Sequence, residues 1–179
     1  MCGELVPDEH EHVVNTESRD LMCTCRGCWL LFTSDGAGGG RYRAVPDRYV
    51  AIDPEAMGPG QWDELQIPVS VAFFFFNSTL ESVAGFYPGP AGATESLLPL
   101  DAWQRLASGD PVLQTMAPDV EAFLVRRDKS HNEAYIVPID ACYELVGELR
   151  RLWKGFDGGT EAGEALDGFF DRVRERAHP

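Results

Sequence analysis

Basic residues are scarce in this chain of 179: 15 lysines and arginines stand against 29 acidic residues, a formal charge of −14 at pH 7. Nucleic-acid binding needs basic surface to neutralise phosphates, so the deficit argues against that class of function. An anionic membrane surface is disfavoured for the same reason. Long apolar runs are lacking as well. The most hydrophobic stretch, residues 67–76 (Ile-Pro-Val-Ser-Val-Ala-Phe-Phe-Phe-Phe), falls short of the roughly 20 residues that span a bilayer. The opening Met-Cys-Gly-Glu has neither the basic nor the apolar region of a signal peptide. A cytoplasmic protein without membrane insertion is therefore expected, and in that compartment thiols stay reduced.

What the chain does have is core material and a crowded front end. It is 44% hydrophobic and 11% aromatic, which supports one folded domain with a small appended module and excludes global disorder. Four of the five cysteines and two of the four histidines fall in the first 28 residues: Cys2, His10, His12, Cys23, Cys25 and Cys28. Thiolate and imidazole are the donors that zinc and iron prefer, and reduced, clustered cysteines point to metal rather than to disulfides. Cys25-Arg26-Gly27-Cys28 has the two-residue gap that lets both sulfurs face one ion, with Gly27 expected to relieve the backbone. Cys2-Gly3 resembles the second half of another such knuckle. The expected ligand set is Cys2, Cys25 and Cys28, plus one of His12, His10 or Cys23. Residues 13–22 can form a small hairpin with its turn at 15–18. Zn2+ is the expected ion; an iron–sulfur cluster on Cys2, Cys23, Cys25 and Cys28 is the alternative. Chelation is expected to unfold residues 2–32 and leave the remaining sheet intact.

Beyond this module (residues 1–33), a Gly-rich linker (34–40) leads into a core domain (41–179). Short strands are expected at 41–45 and 48–52, and a short helix at 61–65. The run 67–76 is apolar on both alternating faces and predicts a strand buried on both sides. Asn77-Ser78-Thr79 supplies turn chemistry before a second strand at 82–87. Residues 88–99, punctuated by glycine and proline, read as a loop that leads to a helix at 102–107. Another strand pair is expected at 120–126 and 134–139. Two amphipathic helices close the chain, capped by Asp140 and Thr160. The class is α+β: an antiparallel sheet, C-terminal helices packed on it, and a zinc-ribbon-like knuckle in front.

Catalytic and cofactor-binding residues are not evident. The 88–96 loop lacks the spacing and the lysine of a phosphate-binding loop. Asp119 and Glu121 form a carboxylate pair on one strand face, expected to be solvated or bonded to Arg126 or Arg127. Cys142 lies in a helical apolar stripe and reads as a core thiol. His131 and His178 read as solvated. A non-enzymatic role is expected.

The motifs carry a resemblance: Cys-Gly, Pro-x2-His-x-His and Leu-x-Cys-x-Cys-x2-Cys-x-Leu-Leu-Phe between Cys2 and Phe32, followed by Arg41-Tyr42-Arg43, Val45-Pro46-Asp47-Arg48, Phe86-Tyr87-Pro88, 90–96 (Pro-Ala-Gly-Ala-Thr-Glu-Ser) and Asp140-x-Cys142-Tyr143. The chain resembles an uncharacterised actinobacterial family whose genes lie among those of [NiFe] hydrogenases. The resemblance implies a cytoplasmic accessory, assembly or docking protein, with hydrogenase subunits or maturation factors as partners. An iron–sulfur electron-transfer component of the same system is the alternative. It also implies a further cysteine three residues before the position of Cys2, which this sequence starts too late to contain.

Overall fold

The computed structural model describes residues 2–34, 36–54, 70–89, 92–98, 100–155 and 158–178. The expected helix at 61–65 and the first residues of the 67–76 run lie outside them. Two antiparallel sheets organise the described chain. The small one has the order β2-β1-β3, from β1 (Glu11–Asn15), β2 (Asp20–Thr24) and β3 (Tyr42–Ala44). The large one has the order β4-β9-β8-β5-β6-β7. Its strands are β4 (Val50–Ile52), β5 (Val71–Asn77), β6 (Ser82–Gly89), β7 (Gly92–Leu98), β8 (Glu121–Arg127) and β9 (Asn132–Pro138).

The phenylalanine run explains the layering. Strand side chains alternate between faces, and β5 sits between β8 and β6, so both of its faces must be covered. Phe73 and Phe75 pack on one side with Phe86, Leu124, Val137 and two helices, α3 (Ile139–Leu152) and α4 (Gly159–Arg176). Ala72 and Phe74 face the other side with Phe123, Ile136 and Trp103 of α2 (Leu100–Ser108). The α+β expectation holds, with antiparallel sheets and C-terminal helices. Phe86 stacks on Phe73 and Phe75, so it serves the core.

Two local expectations change. Residues 92–98 form a strand, β7, paired along its length with β6 (Val83↔Leu98 to Gly89↔Gly92). Pairing to an already extended neighbour outweighs the loop-like composition of that stretch. The partners of Asp119 and Glu121 also differ. Glu121 is 1% exposed and accepts from Arg48 Nη1 at 3.0 and 2.9 Å and from the Ala117 N–H at 2.7 Å. Asp119 accepts from the Ser78 N–H and hydroxyl. Arg126 is an odd number of residues from Glu121 and so points to the opposite face, while Arg127 is roughly 20 Å along the strand. Arg126 instead pairs with Asp167 and Asp128.

The small sheet is joined to the rest by packing as well as by the chain. β3, which follows the Gly-rich segment, pairs with β1 (Val13↔Ala44 to Asn15↔Tyr42). Val14 joins the core cluster that contains Phe75 and Ile139. No helix among the described residues is long and apolar enough to cross a membrane.

Candidate metal centre

The hairpin β1–β2 delivers the front-end donors. Its register pairs Glu11 with Thr24, His12 with Cys23 and Asn15 with Asp20. Asn15 Oδ1 accepts from the Glu17 and Ser18 N–H groups, and Arg19 adopts a left-handed φ of 64°, which together close the turn. At the end of β2 the chain turns directly into α1 (Arg26–Leu31), with Cys25 at the N-cap and Cys28 within the first turn. Residues three apart share a helix face, so Cys25 and Cys28 converge there.

Cys2 completes the set. Its Sγ lies 3.6 Å from that of Cys25 and 3.3 Å from that of Cys28, and all three sulfurs lie within 4.8 Å of one another. Four thiolates on one zinc ion at ~2.3 Å occupy tetrahedron corners ~3.8 Å apart, so the three sulfurs lie close enough to share a single ion. The second coordination layer fits too. The Cys2 N–H points to Cys28 Sγ and the Glu4 N–H to Cys2 Sγ, each at 3.5 Å. Such N–H···S contacts spread the negative charge that a thiolate site accumulates. The left-handed φ of 81° at Gly3 allows the turn that brings Glu4 back. Gly27 has no such role: it lies inside α1, where an added Cβ would meet only Cys25 Sγ at 3.9 Å. Cys2, Cys25 and Cys28 can hold a metal ion.

The remaining three candidates gather separately. A ring nitrogen of His10, a ring nitrogen of His12 and Cys23 Sγ lie within 4.8 Å of one another, and the two trios do not merge at that spacing. His12 Nδ1 is 2.8 Å from Asp140 Oδ2. Asp140 sits in the first turn of α3, whose N-cap is Pro138; its Oδ1 accepts from the Ala141 N–H at 2.8 Å, which leaves Oδ2 to reach across to the hairpin. Sequence reasoning missed that partner, which lies 128 residues away.

Hydrogen bonds also tie the module to the core. Trp29 Nε1 donates to the Val45 carbonyl at 2.8 Å, and the Val45 N–H donates to the His12 carbonyl at 3.0 Å. Arg26 lies over the Trp29 ring at 4.1 Å and pairs with Glu11 at 2.6 Å. Beside these residues an open groove of about 1360 Å³ runs between the hairpin and α3, lined among others by His10, His12, Trp29, Tyr49, Asp140 and Arg176.

The fifth cysteine is elsewhere. Cys142 is fully buried in α3, and burial, with the Asp140 carboxylate nearby, pushes its thiol well above the ordinary range. It stays protonated, as a core thiol does. His131 bonds the Asp128 carboxylate at 3.0 Å in a turn.

No curated protein and no solved structure matches the chain. The model of a family of unknown function, DUF5947, matches residues 1–177, and the chain therefore belongs to that family.

Proposed function

We propose that this protein is a metal-stabilised, non-enzymatic accessory protein that assembles with or docks onto a [NiFe] hydrogenase in the cytoplasm. The observation that carries the metal half of this reading is the single-ion spacing of Cys2, Cys25 and Cys28. Zn2+ suits such a site, because it imposes no geometry of its own and accepts thiolates in a tetrahedron. A cluster would spread its cysteines over several irons, whereas here three converge and Cys23 sits with the histidines. That favours zinc over the electron-transfer reading.

Docking is supported by the surface of the same module. Leu5, Leu30 and Leu31 are 91%, 54% and 67% exposed, and the last two belong to α1, the helix that the metal site anchors. Meanwhile the side chains best suited to catalysis, Cys142, Asp119 and Glu121, are held in structural roles. The hydrogenase as partner comes from the sequence resemblance.

Elemental analysis of protein purified anaerobically tests the metal: thiolate-bound zinc without acid-labile sulfide is expected, and iron with sulfide would overturn it. For docking, tagged protein should capture hydrogenase subunits, identified by mass spectrometry, and Leu30→Asp/Leu31→Asp should lose them. A clean monomer that captures none of those subunits would refute that half.

A further inference from the structure

We propose that His10, His12 and Cys23 form a second metal site, distinct from the thiolate trio, for a divalent late first-row transition ion. The backbone sets it up. His12 and Cys23 are register partners on β1 and β2, and directly opposed residues project from the same face of a sheet. His10 lies two residues before His12, and its ring centroid is 4.8 Å from that of His12.

The hydrogen bonds assign the protons. His10 Nδ1 lies 2.9 Å from the Pro7 carbonyl and 3.0 Å from that of Asp8. Carbonyl oxygens only accept, so Nδ1 carries the hydrogen and Nε2 of the neutral ring a lone pair. His12 Nδ1 donates to Asp140 in the same way, again leaving Nε2 as the free donor atom. A ligating histidine commonly gives its other N–H to a carboxylate or a carbonyl, and here one ring does each.

The decisive atom is His10 Nε2. It is buried and has no hydrogen-bond partner among the described residues. An imidazole–carboxylate pair that merely stitched the hairpin to α3 would account for His12. It would leave the buried lone pair of His10 unexplained, at the usual cost of an unsatisfied polar group. An ion held by both Nε2 atoms and Cys23 Sγ satisfies it. Two imidazoles and one thiolate are borderline donors, which suit Zn2+, Co2+ or Cu2+ over Mg2+ or Ca2+. Three protein ligands leave one tetrahedral position for a water or a small ligand, as in zinc sites that do chemistry. His10, His12 and Asp140 all line the open groove, which gives such a ligand a way in.

This site is independent of the thiolate trio. Cys23 and Cys25 are two residues apart, so their α-carbons are within about 7 Å. The chain nevertheless passes from strand to helix between them, and the two sets of donors stay separate.

The test is metal counting on the full chain, reduced and stripped of metal, then loaded with Zn2+ or Co2+. Wild-type protein should take up two ions. Cys23→Ser and His10→Gln should each bind one, with at least 100-fold weaker uptake of the second, and should keep the intense near-ultraviolet thiolate-to-cobalt absorption of the trio. Cys25→Ser should lose most of that absorption and keep one ion. Unchanged stoichiometry in Cys23→Ser and His10→Gln would overturn the proposal. So would loss of the thiolate-rich ion in those variants, because the histidines would then be supplying its fourth ligand. Failure of Cys25→Ser to change anything would instead strike the thiolate trio and leave the second site standing. A readout without variants is the imidazole 15N spectrum of the wild type: Nε2 of His10 and His12 should shift on adding Zn2+, and unmoved resonances would refute the site.

Discussion

Removing metal should open the first residues of the chain and α1 while β1 stays folded, which narrows the expectation that everything from residue 2 to 32 unfolds. The helix α1 has six residues, too few to hold a helix in water unaided, and Cys28 is its one buried side chain. Without an ion it keeps the bond from Trp29 to the Val45 carbonyl, worth about 1 kcal/mol. β1 is differently placed. Val13 and Val14 are 0% and 7% exposed, and burying two valines contributes about 3 kcal/mol even at the low end of the usual range. The difference of about 2 kcal/mol corresponds to roughly thirtyfold in protection from exchange. Hydrogen–deuterium exchange, read by mass spectrometry with and without chelator under reducing conditions, measures this directly. The amide of Trp29, bonded to the Cys25 carbonyl, should lose protection, and those of β1 should retain it at least thirtyfold better. Equal loss across β1 and α1 would show that the ion, not the valines, holds the hairpin. No loss at α1 would show that the trio carries no structural ion.

Arg48→Met should destabilise the protein by about 3 kcal/mol in urea titration, because among the described residues it leaves a buried carboxylate, Glu121, with only the Ala117 N–H; a drop under about 1 kcal/mol would refute the pair's importance. Burial pushes the Tyr49 phenol up from 10.0 to about 12, with Arg176 opposing. The raised value belongs to the folded state, so this contribution is complete below pH 10 and is lost as pH rises through about 12. Tyr49→Phe should therefore lose less stability than wild type between pH 9 and 11.5 in thermal melts, and an equally steep loss would refute the assignment.

Much of this was legible in the sequence because it depends on local chemistry. Four consecutive phenylalanines preceded by Ile67, Val69 and Val71 have few outcomes other than a strand covered on both faces, and β5 is that strand. The Cys25-x2-Cys28 spacing converges on any tight turn or helix start. The division of six donors into two trios was half legible. The turn is centred between Glu17 and Ser18, so paired residues sum to 35 and His12 faces Cys23; a turn at 15–18, as expected, would be centred one residue earlier and set His10 there. The proximity of Cys2 to Cys28 follows from no such rule, nor does the choice of Arg48 for Glu121, 73 residues distant. Such pairs are decided when sheets and helices close on one another. The strand β7 escaped for a related reason: its extended form comes from β6 beside it.

The two trios differ in what they require of the rest of the molecule. The thiolate trio draws its ligands from Cys2 to Cys28, and its supporting N–H groups come from Cys2 and Glu4, so it can assemble on a local segment. The histidine trio cannot. His12 is oriented by Asp140, and Asp140 is fixed by a helix whose neighbouring residues Ile139, Ala141 and Cys142 are buried against the main sheet. That imidazole is therefore aimed only when the whole core is folded. An ion that binds the folded arrangement and not the unfolded chain stabilises what it needs, by RT ln(1 + [L]/Kd). An ion on the thiolate trio therefore holds down one end of the chain. On the histidine trio it reports on, and reinforces, the entire fold.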